Sequence, residues 1–184
     1  SSMPATKSSR ALSKYCATSA AERASAAAPD SMKPDATPAP FLKWVGGKSR
    51  LLRQLDALMP QGRLRYGEPF LGGGAVFFHL QRQGRLDRAV LCDSSRDIVG
   101  ACQALRDEPE ALLATLQAHE QAYLAADAAG RADYFYQVRD RHPCDLTGDQ
   151  AMPTVERAAR MLFLNRTCFN GLWRENSRGR FNVP

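Results

Sequence analysis

Three consecutive glycines, Gly72 to Gly74, restrict the fold of this chain more than any other feature. They stand between two stretches of different character. Leu64 to Glu68 reads as a short strand, Pro69 to Gly74 as a loop, and Ala75 to Gln83 as a helix closed by Gly84. Arg88 to Asp93, centred on Ala-Val-Leu-Cys, reads as a buried strand. Glycines at a strand-to-helix junction let the backbone approach a ligand closely, and the helix that follows starts with N–H groups that lack an intrahelical partner. A strand, a glycine loop, a helix, a strand and a further helix open a Rossmann-like α/β sheet. A plain tight turn uses the same glycines, so the loop alone does not assign a function.

Two neighbouring residues sharpen it. Asp93 ends the second strand, about twenty residues beyond the loop, where an acidic side chain accepts hydrogen bonds from ribose hydroxyls. Its alternative role is to cap the helix that begins near Ser94 or Ser95. Phe77 stands where a dinucleotide fingerprint has its third glycine, and its bulk opposes close helix packing over a pyrophosphate. A nucleoside without a diphosphate fits better. Upstream, Lys43-Trp44-Val-Gly46-Gly47-Lys48 joins an aromatic and a cation through two glycines. Such a segment can fold over a small amphipathic ligand, with Lys48 pairing a carboxylate and Trp44 walling a flat ring. A buried Trp and a solvated Lys are the ordinary alternative.

Around these motifs the chain divides by texture. Residues 1–40 are dominated by Ala, Ser, Pro and Thr and show no sustained period, so they are expected to form a disordered extension. From Phe41 onward the pattern is that of a folded domain. Leu51, Leu52, Leu55, Leu58 and Met59 are spaced for one apolar helix face. After Asp93 come a helix carrying Ile98, Val99, Cys102 and Leu105, and a second started by Pro109 with Leu112, Leu113, Leu116 and Leu124. Further helices are predicted over 131–141 and 154–165. The reading therefore has an extension (1–40), a ligand-binding part (41–107) and a helical, recognition part (108–184).

The apolar fraction of 44% is spread out, and no run approaches the roughly 18 apolar residues that span a bilayer. Five cysteines form no C-x-x-C pair and are odd in number, which predicts a reducing, cytoplasmic setting without a disulfide framework or zinc site. The three histidines have no partner at metal-ligand spacing, so no metal is expected. The net charge of +6 favours an anionic partner, and 20 of the 25 basic residues are Arg, the side chain suited to forked contacts with phosphate or guanine. A codon bias would give the same excess.

The basic residues matter most at the end of the chain. From Asn165 to Pro184 four Arg face one Glu, interleaved with Phe, Trp and Asn and without periodicity. Arg can fork onto guanine, Asn can read adenine, and an aromatic or apolar side chain can wedge into a base stack. An exposed loop with structural aromatics is the alternative reading.

In this order, the three motifs resemble the DNA adenine-N6 methyltransferases of the Dam type. Phe41-Leu-Lys-Trp-Val-Gly-Gly-Lys48 looks like the family's donor motif, Glu68-Pro-Phe-Leu-Gly-Gly-Gly-Ala-Val-Phe77 like its glycine loop, and Leu91-Cys-Asp93 like its ribose-binding strand end. The block from Asn165 to Pro184 is similar to its target-recognition region. The resemblance covers essentially all of 41–184. It implies an S-adenosylmethionine-dependent methyltransferase sheet, Rossmann-like, with a helical target-recognition part and double-stranded DNA as substrate. Trp44, Lys48 and Asp93 match residues that bind S-adenosylmethionine, with Gly72 and Gly74 shaping the pocket. Lys43 matches a lysine able to reach DNA. Phe169 and Asn170 match the pair that pushes into the duplex beside the target adenine, and Leu172, Arg174 and Pro184 match base-contacting positions, with Arg174 as the guanine reader. A GATC-like site is implied. Phe169 stands where the family often has tyrosine.

One departure matters more than any match. The family's catalytic Asp-Pro-Pro-Tyr follows the recognition region, and these 184 residues contain no Pro-Pro. That motif holds the flipped base and polarises its amino group as the nitrogen attacks the sulfonium methyl. The chain is therefore expected to be a truncated piece with an incomplete sheet, inactive alone and prone to aggregate. A non-catalytic DNA-binding remnant is the alternative function. A nicotinamide-dependent oxidoreductase is opposed by the absent third glycine and by the basic terminal block.

Overall fold

The computed structural model describes residues 16–18, 37–148 and 151–184. Most of the expected 1–40 extension lies outside the described residues. The chain divides into two compact units, Ser1–Phe41 with Gly46–Ser95, and Leu42–Val45 with Arg96–Pro184. Residues 96–107, placed with the ligand-binding part by the sequence pattern, thus group with the helices.

The first unit is α/β. Its strands are β1 (Cys16–Thr18), β2 (Leu64–Glu68) and β3 (Leu86–Cys92), in sheet order β1-β3-β2. Strands β2 and β3 run parallel, with Leu64 opposite Leu86 and Glu68 opposite Leu91. A parallel pair needs a crossover, and α2 (Ala75–Arg82) supplies it. Leu80, fully buried, and Val76 form the packed side of that helix. Gly84, with φ +64°, ends it as the sequence predicts.

Three expectations are corrected in this unit. Strand β3 begins at Leu86 rather than Arg88, and only Ala89 in it is fully buried. The short β1, antiparallel to β3, falls inside the stretch expected to lack structure; the open edge of β3 offers it a row of unpaired backbone groups. The apolar face of Leu51, Leu52, Leu55, Leu58 and Met59 is not a core face. Lys48–Leu51 form a 3₁₀ turn, α1 is only Leu52–Leu58, no residue in either is buried, and Leu58 is 84% exposed. Charge fastens α1 instead: Asp56 accepts from Arg85 at 2.5 Å and lies 3.3 Å from His79, while Arg85 also donates to the Pro60 carbonyl at 2.6 Å.

The second unit is helical, with α3 (Arg96–Asp107), α4 (Pro109–Ala125), α5 (Ala128–Asp140) and α6 (Thr154–Thr167). Helix α6 is its centre and packs on the other three. Ala101 and Ala104 of α3 and Ala158 and Ala159 of α6 are all buried, and such small side chains permit close helix approach. The expected leucine stripe of α4 is narrower than predicted: Leu112 is buried, whereas Leu113 and Leu124 are each 57% exposed. Helix α5 starts at Ala128 rather than 131, because the Asp127 carboxylate accepts from the Gly130 N–H at 2.8 Å and caps it. Buried Arg160 donates to the carbonyls of Val138 and Arg139 at 2.9 and 2.6 Å, satisfying the last turn of α5.

Two histidines sit inside this unit. His119 stacks on Phe163 with centroids 5.1 Å apart and bonds the Tyr134 hydroxyl at 2.8 Å, and His142 is 3% exposed. Burial holds both below the ordinary histidine value of 6.5, and for His142 the Arg160 charge adds to the effect. Below pH 6.5 the unfolded chain therefore binds more protons than the folded one, so stability falls as pH drops through that window. Thermal melts at pH 7.5 and 5.5 should show a drop that shrinks in a His119→Gln/His142→Gln variant. An equal drop in both proteins contradicts this assignment.

Candidate functional site

Strands β2 and β3 are parallel, so their carboxyl ends lie together, the place where open α/β sheets bind ligands. Glu68 closes β2 and Asp93 follows β3. Between them the glycine loop folds back on the strand ends. The Leu71 N–H donates to the Cys92 carbonyl at 3.0 Å, the Gly72 N–H to Asp93 Oδ2 at 2.8 Å, and the Gly74 N–H to the Leu71 carbonyl at 2.9 Å. Asp93 Oδ1 accepts from the Ser95 N–H at 2.9 Å. Asp93 thus ties the loop to the start of the next segment, a structural role beyond the helix cap considered from sequence. Each oxygen keeps a further lone pair.

The glycines are set by the chain's own packing. Gly74 has φ +72°, and a methyl there would stand 3.1 Å from the Phe78 ring and 3.4 Å from Leu71 Cδ1. The Gly72 N–H is spent on Asp93. Lys48 reaches over the same loop: its Nζ donates to Glu68 Oε1 at 3.0 Å and to the Phe70 carbonyl at 2.6 Å. An ammonium has three donors, so one remains. Glu68 is 4% exposed, and its second oxygen Oε2 has no hydrogen-bond partner. Sequence reasoning missed Glu68. Its signal was an acid at the last position of the strand before the glycines.

The second unit carries the other constellation. Asn170 has φ +55° and Gly171 φ +66°, two successive left-handed residues that make a sharp 3₁₀ turn over Phe169–Gly171. A left-handed residue other than glycine is uncommon, and asparagine is one of the few side chains that accept it readily. The turn lifts Phe169 outward, 63% exposed, while its N–H is fixed to the Pro184 carbonyl at 2.9 Å. Leu172 stands beside it at 36% exposure.

Beyond the turn the aperiodic block is folded. Glu175 and Phe181 form an antiparallel bridge, and Trp173 lies on Phe181 with centroids 4.6 Å apart. Phe181 and Val183 are anchored in a core with Phe135, Phe163, Leu164 and Cys168. Opposite Asn182, Arg174 accepts its N–H at 3.1 Å through the carbonyl and donates Nε to Oδ1 at 2.9 Å. The guanidinium is thereby oriented, with its Nη edge left for a partner.

Lys48, Gly72, Gly74 and Asp93 therefore gather in the first unit. Trp44, Lys43, Phe169, Asn170, Leu172, Arg174 and Pro184 belong to the second. Among the described residues no group of His, Cys, Asp and Glu is placed to hold a metal, and Cys92, Cys102 and Cys168 form no disulfide. No described helix is long and apolar enough to cross a membrane.

The first unit thus carries a glycine turn closed by an aspartate at the ends of two parallel strands, and the helical second unit carries an Arg- and Phe-bearing turn. The sequence profile of the D12 class N6 adenine-specific DNA methyltransferases matches residues 44–184. The chain belongs to this family. It is 35% identical over 155 residues to the type II methyltransferase M.MjaIII of Methanocaldococcus jannaschii, covering 79% of this chain and 51% of that protein. It is 38% identical over 146 residues to the type II methyltransferase M1.LlaDCHI of Lactococcus lactis subsp. cremoris, covering 79% and 46%. A DNA adenine methylase of Haemophilus influenzae is 32% identical over 154 residues, covering 84% and 49%. The chain spans about half the length of these relatives.

Proposed function

We propose that these residues form the donor-binding and target-recognition parts of an enzyme that transfers a methyl group from S-adenosylmethionine to N6 of adenine in duplex DNA. The observation that carries this reading is the closed glycine loop, with Asp93, Lys48 and Glu68 converging at the carboxyl ends of β2 and β3. In this reading the sheet is the opening of a Rossmann-like methyltransferase sheet. The free lone pairs of Asp93 accept the ribose hydroxyls. The third N–H of Lys48 meets the donor's carboxylate, and Glu68 holds that lysine in place. Trp44 walls the donor. The donor supplies an electrophilic sulfonium methyl.

On the DNA side Phe169 and Asn170 press into the stack beside the adenine, and Lys43 reaches the backbone. Leu172 and Pro184 border the base edges, and the family relationship favours a GATC-like site. The Arg174 Nη pair faces guanine, and Asn182 holds its plane. The polarising Asp-Pro-Pro-Tyr of the family is not among these 184 residues.

Calorimetric titration of the purified chain with S-adenosylmethionine and with NADH tests the donor half: the former should bind and the latter should not. Equal affinity for the two overturns the reading. For the DNA half, Arg174→Ala should lose about 1–3 kcal/mol of discrimination between GATC and a duplex with its guanine replaced. Competition binding at fixed salt measures it, and unchanged discrimination removes Arg174 as the guanine reader.

A further inference from the structure

Asn165 is a buried polar side chain of the second unit whose amide is engaged at both ends. It is 0% exposed and lies in α6 directly after the apolar run Met161 to Leu164. Its amide behaves as a piece of backbone. The Lys43 N–H donates to Oδ1 at 2.8 Å, and Nδ2 donates to the Lys43 carbonyl at 2.8 Å and to the Gly171 carbonyl at 3.1 Å. Two segments far apart in the chain are therefore held by one side chain. A second contact removes the slack between them. A methyl on Gly171 would stand 2.7 Å from Lys43 Cδ, 2.8 Å from Lys43 Cβ and 3.2 Å from the Asn165 carbonyl, so the Lys43 stem lies flat on the turn.

We propose that Asn165 is a positioning residue that joins Lys43 to the Phe169–Leu172 turn as one rigid element, so that the lysine and the aromatic wedge address a duplex together. The hydrogen-bond pattern requires an amide. Aspartate keeps the acceptor for the Lys43 N–H but turns a second oxygen toward two carbonyls, and serine reaches none of the three at once. The left-handed Asn170 next door persists because Gly171 is clamped on both sides.

Hydrogen exchange of the 184-residue chain tests the joint without DNA. In N165D and N165S the amides of Lys43, Gly171 and Leu172 should exchange about tenfold faster or more, together, while the α3 and α6 core amides keep their protection. An unchanged turn overturns the proposal. So does an even rise across the unit or unfolding of both variants, which makes Asn165 an ordinary core residue. G171A should accelerate the Lys43 amide from the opposite side, and an unaffected Lys43 counts against the joint.

A second arm rests on the proposed function and uses a GATC duplex with 2-aminopurine at the adenine. K43A and F169A should weaken binding non-additively in the parent chain and additively in N165D. Additivity in both backgrounds overturns the coupling. Absence of any duplex binding refutes the DNA reading and leaves the exchange result to decide the joint alone.

Discussion

Asp93→Ala is expected to weaken S-adenosylmethionine binding by at least about 10- to 150-fold, because even one charge-assisted hydrogen bond contributes roughly 1.5–3 kcal/mol. The carboxylate holds the Gly72 and Ser95 N–H groups and, in the proposed function, the ribose hydroxyls as well. A loss of affinity alone would not separate these roles. A donor analogue lacking both ribose hydroxyls does. The parent chain should bind the analogue far more weakly than the donor, whereas Asp93→Ala should bind the two alike. Duplex affinity should stay within about twofold, since Asp93 belongs to the unit that carries none of the recognition turn. Equal donor affinity in parent and variant removes the ribose role. Asp93→Asn is not a neutral control: its NH2 would face one of the two N–H donors.

Arg157→Met is expected to cost about 3 kcal/mol of folding stability, toward the low end of what breaking a buried ion pair costs. Asp97 is 5% exposed and accepts from Arg157 Nε at 2.5 Å. Removing the arginine leaves a carboxylate in the interior without its ion-pair partner, compensated in part by the first turn of α3, where it sits. That dipole is why the low end applies. The converse change, Asp97→Asn, leaves a partly exposed guanidinium that water can solvate, so it should cost less. The double variant should recover part of the loss, because no charge is then stranded. Urea melts of the four proteins measure the cycle, and a double variant as unstable as Arg157→Met removes the ion-pair explanation.

The two units were unequally legible from sequence. In the first, the glycines, the strand-end acid and Gly84 announced the βαβ unit, because each is a local demand of the backbone: a left-handed φ, a closing turn, an acceptor for exposed N–H groups. The leucines of Leu51 to Met59 misled for the opposite reason. Helical spacing says which residues share a face but not what covers that face, and α1 is fastened through Asp56 and Arg85.

In the second unit the block from Arg166 to Pro184 showed no period, yet it is ordered by single long-range contacts: Phe169 to Pro184, Arg174 to Asn182, Trp173 on Phe181. None of these has a sequence period to detect. Asn165 could be noticed as a polar residue after four apolar ones, but nothing local says that its partner is Lys43.

What the residues offered by themselves was a set of candidates: side chains of a kind able to face a ribose, a carboxylate or a guanine, and the order in which they come along the chain. That follows from composition and spacing, which act over a few residues. Tertiary structure alone decided which of those groups are spent within the chain and which keep a lone pair or an N–H for a ligand. The Gly72 N–H is used, two of the three Lys48 donors are used, and Asp93 is half used. Hydrogen-bond capacity is finite, and its allocation depends on which distant groups the fold brings within about 3 Å.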